Sequence, residues 1–165
     1  MVGLTSVTFR KLTCEEIIRL AQESGAECIE WGGDVHVTDE KTARKVRQGC
    51  EQAGIQTRSY GSYYTIGSEQ LDVFRSLCEI TKALGAQVIR VWLGERGSSE
   101  TSPQTLAGLV EEGRRLSGIA AEYGITVASE FHRNTYNDTA ETCLAYLKQC
   151  GVENLKTYWQ PMYAG

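Results

Sequence analysis

The sequence has no C-x-x-C pair, and its only two histidines, His36 and His132, lie far from any zinc-finger spacing. Its six cysteines, Cys14, Cys28, Cys50, Cys78, Cys143 and Cys150, are therefore expected to be reduced, mostly buried thiols of a cytoplasmic protein. No apolar run reaches the ~18 residues of a membrane span, so no membrane partner is expected. No run of like charge is long enough to form a tail, and the net charge is −4. Phosphate backbones select basic faces, so no nucleic-acid partner is expected either. The opening MVGLTSVTFR reads as a strand rather than a leader. The link TFRKLT after it carries neither a dinucleotide fingerprint nor a P-loop. There is no G-x-S-x-G, and Cys143 has no histidine near it in sequence, so classical nucleophilic catalysis has no support.

What the sequence does contain is a recurring phrase. A helical pattern ends at a glycine, and a short apolar strand follows at once. The cases are SGAECIEW (24–31), AGIQTRSY (53–60), LGAQVIRVW (84–92), YGITVASEF (123–131) and CGVENLKTYW (150–159). Each glycine suits the left-handed position just past a helix end. Helix starts are marked as well. Thr13 with Glu16 and Asp138 with Glu141 have capping-box spacing, and Ser102-Pro103 reads as a cap followed by the first helical residue. Between the marks, apolar residues recur at helical spacing, as in Ala43, Val46, Cys50 and Ala53, or Ala140, Cys143, Leu144, Leu147 and Cys150. These stripes read as core.

The pattern gives six strands and five helices in strict alternation. The strands fall near 2–9, 27–31, 56–60, 87–93, 126–131 and 154–160. Alternation of this kind implies parallel strands with right-handed crossovers. The 165 residues read as a single domain, residues 1–165, with no linker. Two α/β architectures compete: an open doubly wound parallel sheet, or part of a (β/α)8 TIM barrel, whose usual length is ~250 residues.

Parallel α/β folds gather their sites at the C-terminal ends of strands. Here all six ends carry polar chemistry: Thr8–Arg10, WGGDVH (31–36), YGSYY (60–64), WLGER (92–96), EFHRNT (130–135) and WQPMY (159–163). An open sheet would use few of its loops, whereas a barrel recruits nearly all of them. Alternation along each strand places Glu130 opposite Phe131, Arg90 and Trp92 opposite Val91, and Glu30 opposite Trp31. An interior holding Glu30, Arg90, Glu130 and Lys156 is costly unless the charges pair or serve a ligand.

Taken together, GLTSVTFRKLT, IEWGGDVHV, SYGSYY, IRVWLG, SEFHRNTYNDTAET and TYWQP resemble the xylose-isomerase-like TIM barrels, the sugar phosphate isomerase/epimerase superfamily. The resemblance runs over nearly the whole chain. It implies a metal-dependent isomerase or epimerase that acts on a small-molecule sugar or polyol by proton transfer next to a carbonyl. It also implies a divalent metal ion (Mn, Mg, Co or Zn). Glu130 matches the family's first metal-binding carboxylate and is the expected catalytic group. Gln160 falls where the second ligand, usually an Asp, would stand. His36, Tyr60, Tyr64, Trp92, His132 and Asn134 are the expected substrate-binding residues.

Plainer roles compete with each of these. Glu130 could simply pair with Arg90 or Lys156, His36 could be a solvated loop residue, and Trp31 reads as core. Glu95 and Arg96 read as a surface pair. A non-catalytic sugar-binding barrel and an endonuclease-type phosphodiesterase are the alternative functions; the second wants more histidines than two. The family's last two ligands would lie beyond Gly165, so the chain reads as the first three-quarters of a barrel. Alone it is expected to self-associate as a homo-oligomer and to lack isomerase activity. The reading frame past Gly165 is expected to encode two more strand–helix units bringing a His and a Glu at strand ends. Sequencing the intact gene checks this, and a stop codon directly after Gly165 would refute it.

Overall fold

The structure is a computed structural model that describes residues 1–161. Met162 and Tyr163, at the end of the last strand-end motif, lie outside the described residues. Six strands alternate with five helices: β1 (Gly3–Thr5), α1 (Cys14–Ser24), β2 (Cys28–Gly32), α2 (Glu40–Ala53), β3 (Gln56–Ile66), α3 (Leu71–Leu84), β4 (Val88–Leu93), α4 (Pro103–Glu122), β5 (Thr126–Glu130), α5 (Ala140–Cys150) and β6 (Leu155–Tyr158). The strands form one sheet in the order β1-β2-β3-β4-β5-β6. A doubly wound sheet reverses its strand order at a switch point. This one never reverses, so the winding is that of a barrel, and the open doubly wound alternative is set aside.

Two strands differ from the sequence reading. The first extends only over Gly3–Thr5, and the chain then turns through a 3-10 segment at Ser6–Phe9. Ser6 is fully buried and accepts a hydrogen bond from the Gly32 N–H, an anchor that takes the backbone out of the sheet. The third runs on to Ile66, six residues beyond its expected end. The extension buries Ser62, Tyr64 and Ile66 by alternation, and it absorbs a left-handed residue at Tyr63 (φ 58°).

The chain divides into two compact units, Met1–Ser62 with Ser76–Ile89, and Tyr63–Arg75 with Arg90–Gly165. In the first, α1 begins with the expected capping box of Thr13 and Glu16, and α2 begins at Asp39, whose carboxylate accepts from Thr42 N–H. Ile17, Ala21, Ala43, Val46 and Cys50 are buried on one face of their helices, as the 3.6-residue period requires. Trp31 is fully buried, and so belongs to the core.

In the second unit α5 corrects two expectations. Its cap is Thr139, which exchanges hydrogen bonds with Thr142, rather than Asp138. Asp138 accepts instead from Ser98 N–H. Leu144 is 56% exposed, because the buried face is centred on Cys143, Tyr146 and Cys150. Tyr146 is fully buried and its hydroxyl donates to Leu109 O (3.3 Å). That hydroxyl occupies the place a Cβ at Gly113 would take, which explains a glycine in mid-α4.

Burial pushes the thiols of Cys14 and Cys50 up from 9.0 to about 11, with Glu15 adding to the effect at Cys14. In the unfolded chain these thiols ionise near the ordinary value, so between pH 9 and 11 the unfolded chain holds fewer protons than the folded one. Stability is therefore complete below pH 9 and falls as pH rises toward 11. Thermal melts from pH 7 to 10.5 are expected to show this decline, and a Cys14→Ala/Cys50→Ala double variant should show a shallower one. Equal slopes would mean that other groups cause the decline.

Candidate active site

Arg90 and Trp92 stand two residues apart on β4 and so project to one face. Glu130 ends β5. Arg90 is 6% exposed and Glu130 9%, and they form a buried ion pair. Trp92 Nε1 donates to Glu130 Oε2 (2.6 Å). Gln160 Nε2 donates to Glu130 Oε1 (3.1 Å) and to Phe131 O (2.9 Å). Tyr63 closes one side, with the Arg90 guanidinium 5.3 Å from its ring centre and the Trp92 ring meeting it edge-on at 5.4 Å. His132 lies on Trp92 with ring centres 5.6 Å apart and planes tilted by 30°.

The loop after β5 fixes His132. Its Nδ1 lies 2.6 Å from Arg133 O. A carbonyl can only accept, so Nδ1 carries the proton, and in the neutral ring Nε2 holds the lone pair. His132 N–H donates to Asn137 O, and Thr135 Oγ1 donates to His132 O. Asn137 is fully buried and staples the loop down: its Nδ2 lies within hydrogen-bond reach of Ser129 O, Ser129 Oγ and Thr157 Oγ1.

The sequence-predicted residues thus divide. Glu130, Trp92, His132 and Gln160 come together. Asn134 is on the same loop, exposed, in a left-handed turn (φ 63°). Tyr64 is buried elsewhere: its hydroxyl donates to Glu112 Oε1 (2.7 Å), a buried carboxylate on α4 that also accepts from Gly67 and Glu69 N–H. Burial first, and then that carboxylate, holds the Tyr64 phenol well above its ordinary range. It is Tyr63, one residue earlier, that joins the site. Tyr64 was expected there as one of the aromatics at the end of this strand, where residue type does not separate it from Tyr63. Lys156 is exposed, so the cation that meets Glu130 is Arg90. Glu95 and Arg96 line a cavity of about 510 Å³ together with Gly94, Ser102 and Thr105.

In the first unit, His36 and Tyr60 are buried. His36 Nδ1 lies 3.0 Å from Ser6 Oγ, and its Nε2 is buried without a hydrogen-bond partner. Its ring meets Trp31 edge-on at 6.1 Å. Tyr60 is fully buried with its hydroxyl on Val37 O (2.9 Å), a packing arrangement that burial keeps protonated. Glu30, in the middle of β2, accepts from Thr5 Oγ1 and Ser59 Oγ.

The expected divalent metal ion can be tested against these donors. Both acceptors that Gln160 meets, Glu130 Oε1 and Phe131 O, are oxygens without a hydrogen to give. The amide must therefore present its NH2 to them; turned over, it would set oxygen against oxygen. Glu130 already carries Arg90's charge and two further donors. Among the described residues no group of three or more His, Cys, Asp or Glu could hold a metal ion. Glu130 and Gln160, as arranged, do not fit a divalent cation.

Residues 18–162 match the family model for the xylose isomerase-like TIM barrel. The chain belongs to this family. A 3-dehydroshikimate dehydratase of Bacillus anthracis is similar, 23% identical over an aligned length of 165 positions, gaps included, that covers 93% of this chain and 59% of that protein. The crystal structure of a probable 3-DHS dehydratase from the same organism matches with a TM-score of 0.85 at 22% identity, covering 95% of this chain and 62% of that one. The 3-keto-D-glucoside 4-epimerase YcjR of E. coli matches with a TM-score of 0.74 at 19% identity, over 94% of this chain and 66% of that one. A xylose isomerase-like TIM barrel protein from Mycobacterium smegmatis, in complex with magnesium, matches at 0.70 and 15% identity over 94% of this chain and 63% of that one. The chain thus spans less than two thirds of each of these relatives. The likenesses show that its fold is that of the xylose isomerase-like barrels.

Removing Arg90 would leave Glu130 buried without its counter-charge. Arg90→Leu is expected to cost about 3–5 kcal/mol of stability. The Arg90→Leu/Glu130→Leu double variant should recover a good part of that loss in chemical denaturation. A double variant no more stable than the single one would mean that the pair is not the source of the cost.

Proposed function

We propose that this chain supplies the proton-transfer site of a barrel enzyme that acts on a polyhydroxylated carbonyl compound, a sugar or a cyclic polyol. The observation that carries this reading is His132. Its face rests on Trp92, its Nδ1 is tied to Arg133 O, and its Nε2 is left to take a proton beside a buried Arg90–Glu130 pair.

In this reading His132 Nε2 removes the proton from the carbon next to the substrate carbonyl. The C–H electron pair forms a double bond to the carbonyl carbon, the carbonyl π pair moves onto its oxygen, and the guanidinium of Arg90 supplies positive charge for that enolate oxygen. Glu130 was expected as the acid/base. With Arg90, Trp92 and Gln160 all donating to it, it serves better as an acceptor that orients a substrate hydroxyl and holds Arg90 in place. Returning the proton to the opposite face of the same carbon is epimerisation. Where the deprotonated carbon carries a hydroxyl, passing that hydroxyl's proton to the former carbonyl oxygen and returning the carbon-bound proton to the former carbonyl carbon is isomerisation. Loss of the hydroxyl one carbon further on, with the proton from His132 leaving as part of water, is dehydration. The similar proteins named above include a dehydratase and an epimerase, two outcomes of this one deprotonation. No step here is assigned to a divalent cation, because the donors present do not fit one. The Tyr63 and Trp92 rings offer apolar faces of the kind that suit the C–H surfaces of a sugar.

The test is solvent exchange. The protein, expressed at the full length of its reading frame, is incubated in D2O with ketohexoses and with 3-dehydroshikimate. NMR is expected to show deuterium entering next to a carbonyl in at least one of them, slowed roughly 100-fold or more in His132→Asn. Exchange that is undiminished in His132→Asn would reassign the base. No exchange with any compound, together with saturable binding of one, would favour the sugar-binding barrel, for which the fully engaged Glu130 is the supporting observation.

A further inference from the structure

We infer that Gln160 is a positioning residue that locks Glu130 onto Arg90 and Trp92, and that its amide keeps this carboxylate closed to divalent cations. The inference goes beyond the proposed reaction and does not depend on which substrate is used.

A carboxylate offers about four lone-pair sites on two oxygens. Arg90 and Trp92 both approach Oε2, and Gln160 approaches Oε1. The two oxygens are thus held from different sides by different donors. Gln160 alone holds Oε1 among the donors named, and it is tied at the same time to the backbone just past β5 through Phe131 O. One amide nitrogen therefore fixes the carboxylate's rotation about its last bond relative to the strand that carries it.

Charge points the same way. Arg90 brings one positive charge to Glu130's single negative one, and Gln160 brings none. A divalent cation approaching Oε1 would meet N–H dipoles with their positive ends toward it and a guanidinium on the other oxygen of the same group. It would have to displace the amide before gaining a ligand. A carboxylate at position 160 would reverse each term. It has no N–H to give, it would repel Glu130 from its present position, and it would add the second negative charge that a hard cation needs.

The experiment compares wild type, Gln160→Asp and Gln160→Asn, each at the full length of the reading frame. Asp and Asn have nearly the same size, so the pair separates charge from shape. Mn²⁺ alone is the probe, with bound and free metal read by electron paramagnetic resonance. Gln160→Asp is expected to bind Mn²⁺ at least about tenfold more tightly than wild type, with Gln160→Asn staying within a few-fold of it. The indole N–H signal of Trp92 in ¹⁵N NMR should shift in both variants, because the carboxylate it donates to is released, and it also reports that each variant is folded. A merely structural role for Gln160 would lower the melting temperature without changing Mn²⁺ affinity. Wild type binding Mn²⁺ as tightly as Gln160→Asp would overturn the inference, as would an unchanged affinity in a folded Gln160→Asp. None of these readouts involves turnover, so failure of the proposed reaction would show separately, in the exchange assay.

Discussion

A buried arginine inside β4 and a buried glutamate at the end of β5 set the terms for the residues around them. Neither could be buried alone, since a desolvated charge without a partner costs several kcal/mol. Once both are buried, every group beside them must satisfy a remaining donor or acceptor or lie flat against the pair. Trp92 does the first through its indole N–H, and its ring carries His132 on one contact and Tyr63 on another. Tyr63 in turn places its face toward the guanidinium. The left-handed backbone at Tyr63 belongs to the same arrangement. Strain at a non-glycine residue persists only where the surroundings over-determine it, and two ring contacts do so here.

The support behind the site is also polar. The β5–α5 loop buries the rings of Phe131 and Tyr136, and beside them it has a polar anchor in Asn137, a fully buried amide that reaches β5 through Ser129 and β6 through Thr157. A hydrogen-bonded staple specifies geometry more narrowly than an apolar contact would, because its donors and acceptors are directional. That loop carries the one histidine whose free nitrogen is tautomer-defined by its own backbone. In the first unit, the corresponding polar groups are turned to structural use. Ser6 takes an N–H from Gly32 and faces His36, while Glu30 is held by Thr5 and Ser59.

The parts of this that were legible in the sequence are the parts governed by periodicity. The glycine that ends one helix and the apolar run that follows gave the alternation of elements, because a left-handed cap and a buried parallel strand leave strong local signals. Face assignment by alternation placed Arg90, Trp92 and Glu130 together, since the side-chain period of a strand is fixed at two. Tyr63 and Tyr64 carry the same aromatic signal at adjacent positions, and the left-handed backbone at Tyr63 leaves no mark in the sequence. Asn137 and Glu112 carried no signal. A buried amide in a loop and a buried carboxylate in a helix look, in sequence, like the exposed ones, and only the partners they find tell them apart. Thr139 likewise displaced Asp138 as a cap because Asp138 was taken by Ser98 N–H, a contact of |i−j| = 40 that no local rule contains.

Position 160 shows why family membership and the chemistry of a site have to be argued separately. The fold and its strand order are those of the xylose isomerase-like barrels, and they bring the end of β5 beside the segment that follows β6 whatever residues stand there. What stands there decides the electrostatics. An amide facing a carboxylate joins it by a hydrogen bond and leaves its charge to Arg90. A second carboxylate in the same place would repel it, and the two could coexist only around a cation or a shared proton. The backbone thus fixes which residues meet, and a single choice between amide and carboxylate decides whether their meeting is self-contained or requires a ligand.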